Sequence, residues 1–248
     1  MNKKKIAISI DTSILNLVDS YIDNSTIRSR SQAIEFLIKK SLKERPVNEA
    51  VLLIHPDRVD TLLKKFMNST LLETHVEFLI KNNIKKLFIV TRVNNELKNI
   101  VANFNKIKII LINQEEAKGT ANAIQLLKND INGNFIVLNG DTYNHFDLNG
   151  MVKKHLDSDK LVTIGLISST EPQKFGSVSL SGDLIVEFKE KVESQSNIIN
   201  AGIYVFNKNI FNYLKGNMKS LEKELFPILA KKKELQGFFT HGNYYHSG

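Results

Sequence analysis

Asp141 stands just past four consecutive apolar residues, Phe135 to Leu138, across the polar stop Asn139-Gly140, with Thr142 behind it. A short unbroken apolar run is the pattern of a strand covered on both faces. A carboxylate just past the end of such a strand lies where open α/β sheets hold their ligands. A second group of chemically capable residues lies near the start of the chain: Lys4, Lys5 and Ser9, then Ser29, Arg30 and Ser31. Cations and hydroxyls so placed can hold phosphate oxygens. The formal charge of +8 also points to a polyanionic partner.

With 248 residues, 42% of them hydrophobic, the chain can bury one medium core and carry a small second unit. The absence of cysteine excludes disulfides, thiolate catalysis and cysteine zinc sites, and fits a reducing compartment. No apolar run approaches the roughly 18 residues of a membrane span. The lysine-rich start leads into an apolar segment too short for a signal peptide. The expectation is a soluble, cytoplasmic protein with no membrane partner.

Residues 5–11 alternate, with Ile6, Ile8 and Ile10 on one face and Lys5, Ala7 and Ser9 on the other, which predicts a half-buried strand. Asp11 or Thr12 then caps a helix bearing Ile14, Leu17, Val18, Tyr21 and Ile22 at helical spacing. Ser29, with Gln32 three residues on, opens a second helix as a capping box. One strand and two helices cannot bury three apolar faces by themselves, so a dimer is expected, with a tetramer as its extension. Lys5-Ile-Ala-Ile-Ser-Ile-Asp11 followed by Arg28-Ser-Arg-Ser-Gln-Ala-Ile34 resembles the ribbon-helix-helix family of DNA-binding repressors. The resemblance implies a ribbon paired across a dimer in the major groove of double-stranded DNA, with Lys4, Lys5, Ala7 and Ser9 on its DNA side. It also implies a phosphate at the helix start, held by Ser29, Arg30 and Ser31.

Lys43 to Glu49 carries Pro46 and no apolar period. The boundaries expected are therefore 1–45 for the small unit, 46–49 for a linker and 50–248 for a large domain. In the latter, strands at 50–54, 86–91 and 107–112 alternate with helices at 71–80 and 95–104, the order of a parallel sheet with helices on both faces. His75 reads as an ordinary, partly buried histidine on its helix's apolar side.

From Ala50 onward the chain resembles the sugar-1-phosphate nucleotidyltransferases, through motifs that occur in the family's order. They are Glu115-Glu-Ala-Lys-Gly-Thr-Ala121, Val137-Leu-Asn-Gly-Asp-Thr142, Phe175-Gly176, Glu187-Phe-Lys-Glu-Lys191, Ile199-Asn-Ala-Gly-Ile-Tyr204 and Ser220 to Leu229. The resemblance implies a loop at Gly119 and Thr120 closing on a nucleotide base, a magnesium-binding Asp141, and a sugar-phosphate side built from Gly176, Glu190, Lys191, Asn200 and Gly202. Two family features are missing. His55 to Thr70 contains no glycine where the family carries a glycine-rich triphosphate loop and a Pro-Lys pair, and Val59, Leu62, Leu63 and Phe66 predict a helix there. His246 stands where the family has a second metal-binding aspartate.

The fold class expected is α/β: a small ribbon-helix-helix dimerisation module followed by a mostly parallel, Rossmann-like α/β/α nucleotidyltransferase-like sheet domain. The preferred function is a DNA-binding transcription regulator. Its large domain is expected to be catalytically inactive and to sense a nucleotide, sugar phosphate or nucleotide sugar, with at most weak metal ligands at Asp141 and His246. The alternative is an active, magnesium-dependent sugar-1-phosphate nucleotidyltransferase with an N-terminal oligomerisation module. A third reading makes the large domain a scaffold that only assembles repressor dimers.

Overall fold

A computed structural model of the chain describes residues 6–23, 27–43, 47–66, 68–193, 196–239 and 244–246; of residues 39–43, 144 and 246 it describes the backbone alone. The contacts divide the chain into two units, Met1–Pro46 and Val47–Gly248.

In the first unit, helix α1 (Thr12–Asp19) begins where the Asp11 carboxylate accepts the Ser13 N–H, and helix α2 spans Arg30–Lys43. The start of α2 differs from a capping box. Ser29 Oγ accepts the Gln32 N–H at 3.3 Å, but the Gln32 side chain takes the Arg28 N–H at 2.7 Å instead of that of Ser29. The strand expected over 5–11 is not formed at residues 6–10. A strand needs a neighbour for its N–H and C=O groups, and Ile6 and Ile8 lie exposed at 77% and 58% with no such neighbour in a single chain. Among the unit's described apolar side chains only Val18 and Ala33 are buried.

The second unit contains β1 (Glu49–Leu53), α3 (Val59–Leu63), β2 (Lys65–Phe66), β3 (Ser69–Thr70), α4 (Leu71–Lys81), β4 (Lys86–Thr91), α5 (Asn95–Val101), β5 (Lys108–Asn113) and α6 (Thr120–Gln125). It continues with β6 (Phe135–Asn139), β7 (Thr142–Asn144), α7 (Leu148–Leu156), β8 (Val162–Ser168), β9 (Gly176–Ser181), β10 (Leu184–Glu190), β11 (Ile198–Phe206), α8 (Phe226–Lys231), β12 (Leu235–Phe239) and β13 (Tyr244–His246). Val47 and Asn48, expected in a linker, already belong to this unit: Val47 is buried, and the Asn48 carbonyl accepts the N–H groups of Lys85 and Lys86.

The main sheet runs β5-β4-β1-β6-β11-β8-β12-β10-β9. Its first four strands are parallel, as the alternation of strands and helices requires. The expectation of a mostly parallel sheet fails beyond β6. There β11 runs antiparallel to both β6 and β8, and β10 is antiparallel to β9 and β12. Only β9 and β10 are joined there by a short return, which favours an antiparallel pair; β8 follows β6 through α7 and β12 follows β11 through α8, and β12 lies parallel to β8. Alternate residues of β1 feed opposite cores: Val51 and Leu53 pack with Phe135, Val137 and Tyr204, whereas Ala50 and Leu52 pack with Leu72, Val76 and Ile136. Helix α4 is fixed at its start by a complete capping box between Thr70 and Glu73.

Leu52 is wholly buried in the central strand, so Leu52→Ala is expected to lower unfolding free energy by about 2–5 kcal/mol. Urea denaturation monitored by circular dichroism measures it, and a loss below about 1 kcal/mol would mean the core collapses around the cavity.

Candidate active site

The polar stop after β6 is held by its neighbour: Gly140 N–H donates to the Leu53 carbonyl at 2.6 Å, extending the β1–β6 ladder past the strand's end. Asp141 thereby lies between two cavities. One, of about 280 Å³, is lined mainly by Leu53, Pro56, Val90, Gln114, Gly119 and Thr120, and the other, of about 250 Å³, by Thr142, Lys174, Gly176, Glu190, Lys191 and Glu222 together with Asn200, Gly202 and Tyr244. Asn139 and Asp141 line both. The first cavity is apolar with a few polar groups, which suits a flat heterocycle. The second is polar and suits a hydroxylated, anionic ligand.

The eight large-domain residues picked from the sequence as ligand-binding, Gly119, Thr120, Asp141, Gly176, Glu190, Lys191, Asn200 and Gly202, line these two cavities. Gly119 has φ +91°, and a Cβ there would stand 2.1 Å from the Lys219 carbonyl oxygen, so no larger residue fits. At Gly176 a Cβ would come within 2.7 Å of both the Glu190 carboxylate and the Phe188 ring. Lys191 takes the left-handed conformation, φ 53°, with its N–H on the Phe175 carbonyl at 3.0 Å. A non-glycine residue held there is uncommon and gathers at ligand sites. Asn200 sits where β11 breaks register: its side-chain oxygen accepts the Gly202 N–H at 3.0 Å and its amide donates to the Tyr204 hydroxyl at 2.7 Å.

Among the lining residues not singled out from the sequence are Gln114, Lys174 and Glu222. Gln114 lies just past the end of β5 as Asp141 lies just past the end of β6, each behind an apolar run and a polar stop, so the same rule would have found it. Lys174 and Glu222 come from a turn and from a π-type turn at Leu221–Leu225, and only the folded chain brings them to the cavity.

Burial, and then the neighbouring charge of Glu222, raise the Glu190 carboxyl to about 6, against the pull of Lys191 and Lys223. His75 is buried beside the Gly140 backbone; desolvation lowers it to about 4, so it is neutral at physiological pH, and its Nε2 has no partner among the described residues. Burial raises the Tyr244 hydroxyl, and the Asp141 charge adds to the effect.

The glycine-free stretch is partly helical, as expected. Pro56–Arg58 forms a 3₁₀ turn capped by His55, α3 buries Val59 and Leu62, and Phe66 lies not in the helix but in β2, against Tyr143 and Tyr245. The Asp57 carboxylate is paired with Arg92 at 2.8 Å. Arg92 also donates to the Glu115 carbonyl at 2.8 Å.

A sequence model described as "Nucleotidyl transferase" matches residues 58–244. The chain belongs to the nucleotidyl transferase family. Among this family's curated members it is 33% identical over 192 residues to the zebrafish "Mannose-1-phosphate guanylyltransferase catalytic subunit beta", covering 71% of this chain and 53% of that one. It is 32% identical over 173 residues to the "Bifunctional protein GlmU" of Methanococcus maripaludis, covering 68% and 40%. The chain thus spans about half the length, or less, of these relatives. The fold is shared with the inositol-1-phosphate CTP transferase of T. maritima, at TM-score 0.68 and 17% identity, over 82% of this chain and 90% of that one. It is also shared with a UDP-glucose pyrophosphorylase solved with UDP-glucose, at TM-score 0.67 and 17% identity, over 81% and 93%.

Membership of this transferase family, with relatives named as guanylyltransferases, overturns the preferred expectation of a DNA-binding regulator with an inactive large domain. The residues assigned to DNA offer it no support. Lys4 and Lys5 lie outside the described residues, Ala7 and Ser9 are not in a strand, and Ser29 Oγ is engaged by Gln32. Arg30 is bound by two 2.7 Å bonds to Asp19, and Ser31 is an exposed residue of α2's first turn. The His246 side chain also lies outside the described residues, although its backbone pairs with Thr142.

Glu190 takes up a proton more readily folded than unfolded, so its contribution to stability is full below its ordinary value near 4.5 and is lost as pH rises through about 6. The stability of the wild type relative to Glu190→Gln is therefore expected to fall between those two pH values. Denaturant titrations of both proteins across that window check it, and a difference that rises or stays flat contradicts the assignment.

Proposed function

We propose that the large unit transfers a nucleotidyl group from a nucleoside triphosphate to a sugar 1-phosphate. A phosphate oxygen of the sugar attacks the α-phosphorus, that oxygen–phosphorus bond forms, the bond to the β-phosphate breaks, and pyrophosphate leaves. The observation that carries this reading is the pair of cavities, one apolar and one polar, meeting at Asp141. The nucleoside would occupy the half bounded by Gln114, Gly119 and Thr120. The sugar would lie in the polar half, with Asn200 bonding a hydroxyl and the Lys191 ammonium holding its phosphate. The names of its relatives make GTP and mannose 1-phosphate the first pair to try.

Transfer of this kind depends chiefly on charge neutralisation and alignment. The described residues hold no cluster of three or more His, Asp or Glu side chains that could bind a metal. Magnesium, however, keeps several waters and takes one or two carboxylates along with substrate phosphates, so Asp141, the carboxylate shared by both cavities, suits it. When bound there it would supply positive charge to the phosphates. Asp141 would orient it, and Lys191 would counter the charge of the attacking phosphate. Pyrophosphate release from GTP, mannose 1-phosphate and magnesium is expected, reduced about 10²- to 10³-fold in Asp141→Ala. If no pairing of a nucleoside triphosphate with a sugar 1-phosphate releases pyrophosphate, the reading is wrong.

The first unit serves in this reading to assemble copies of the chain. It buries little of its apolar surface, with Ile6, Ile8, Ile14, Leu17, Tyr21 and Phe36 all exposed, and a unit of this size needs a partner to build a core. Pairing of residues 6–10 with the same segment of a second copy would give the alternating strand its missing neighbour. Light scattering is expected to give twice the 28.2 kDa chain mass, and the double change Ile6→Asp with Ile8→Asp is expected to return the monomer. A wild-type chain that is monomeric at every concentration contradicts it.

A further inference from the structure

Gly119 and Thr120 line the apolar cavity and Glu222 lines the polar one, yet these residues are bonded to one another. The Thr120 hydroxyl donates to Glu222 Oε2 at 2.9 Å and accepts the Leu221 N–H at 2.9 Å. One residue on, the Ala121 N–H donates to the Lys219 carbonyl at 2.9 Å, the same carbonyl that excludes any side chain at Gly119. The far side of the junction is equally fixed: Glu222 Oε2 also accepts the Ser220 hydroxyl at 3.0 Å, and Glu224 accepts the N–H groups of Lys219 and Ser220 at 2.7 Å each. This turn is of the wide π type, a form that recurs at functional sites.

One hydroxyl at the start of α6 therefore sets the direction of a carboxylate in the other half of the cleft. We propose that Thr120 and Glu222 are a positioning pair coupling the two halves, so that a nucleotide in the apolar half raises the affinity of the polar half for a sugar phosphate. A base packed on Gly119 and Thr120 holds the α6 start, which holds Glu222 at one orientation. The sugar phosphate then meets a pocket already set, and by linkage it strengthens nucleotide binding by the same factor. Glu222 also faces Glu190, whose carboxyl responds to its charge, so a turn of Glu222 is felt on the residue that borders the sugar. The inference rests on the proposed assignment of nucleotide and sugar to the two cavities.

Titration calorimetry on the full chain tests it with α,β-methylene GTP, which cannot release pyrophosphate, and mannose 1-phosphate, each alone and in the presence of the other. The wild type is expected to bind the second ligand at least about fivefold more tightly once the first is present. Thr120→Val, which keeps the shape and removes the hydroxyl, is expected to bring that factor to about one whatever it does to either affinity alone, and Thr120→Ser to restore it. If Thr120→Val does not fold, Glu222→Ala is expected to abolish the factor in the same way. Binding of both ligands without mutual enhancement, or an enhancement unchanged in Thr120→Val or Glu222→Ala, overturns the coupling and leaves the proposed function standing. Failure of the wild type to bind either ligand overturns both.

Discussion

Strand β6 is the constraint on which the rest of the large unit depends. On one side it pairs parallel with β1, Val51 opposite Val137, and on the other antiparallel with β11, Tyr204 opposite Val137. Ligands of open α/β sheets collect where the strand order changes direction, and here the change in strand sense falls at the same strand. The parallel half contributes strand ends and the loop into α6, and the antiparallel half contributes the broken register of β11 and the turn after β10. Two surfaces of different character therefore meet at one carboxylate.

The parallel half was legible because its signals are local. Alternating strands and helices and the apolar run before Asn139 each reside in a few consecutive residues. The antiparallel half was less so, since nothing local in Ile198–Phe206 says whether its neighbours run parallel or antiparallel. Residues 6–10 misled for a related reason: alternation states which face wants burial but not whether a partner strand is available. Arg30 read as a phosphate ligand because it stands at the start of a helix in the segment that resembles the ribbon-helix-helix family, while the carboxylate that occupies it, Asp19, lies eleven residues earlier, on another helix. Glu222 escaped notice since its role arises from contact with Thr120 across 102 residues.

The segment from His55 to Thr70 carries the largest departure from the motifs the chain otherwise matches, and its physical consequences are narrower than its sequence suggests. A glycine-free loop cannot wrap a phosphate with left-handed backbone, and this one folds instead into a capped 3₁₀ turn and a short helix that seals the core beneath Gly140. Its acidic residue Asp57 is neutralised by Arg92, whose second contact is the backbone of the loop leading to Gly119. The segment is thus tied to the loop before Gly119 by an ion pair and a carbonyl bond. In the proposed reaction the cations left to face phosphate are those lining the polar cavity, Lys174 and Lys191, the latter held in the left-handed backbone conformation.

The claim that the cleft joins a nucleotide to a sugar phosphate is tested most directly by following the oxygen atoms. Mannose 1-phosphate labelled with ¹⁸O in its non-bridging phosphate oxygens, incubated with GTP and magnesium and resolved by mass spectrometry, is predicted to yield a nucleotide sugar that keeps the label and pyrophosphate that carries none. Consumption of GTP without a labelled nucleotide sugar, or label in the pyrophosphate, would contradict the account.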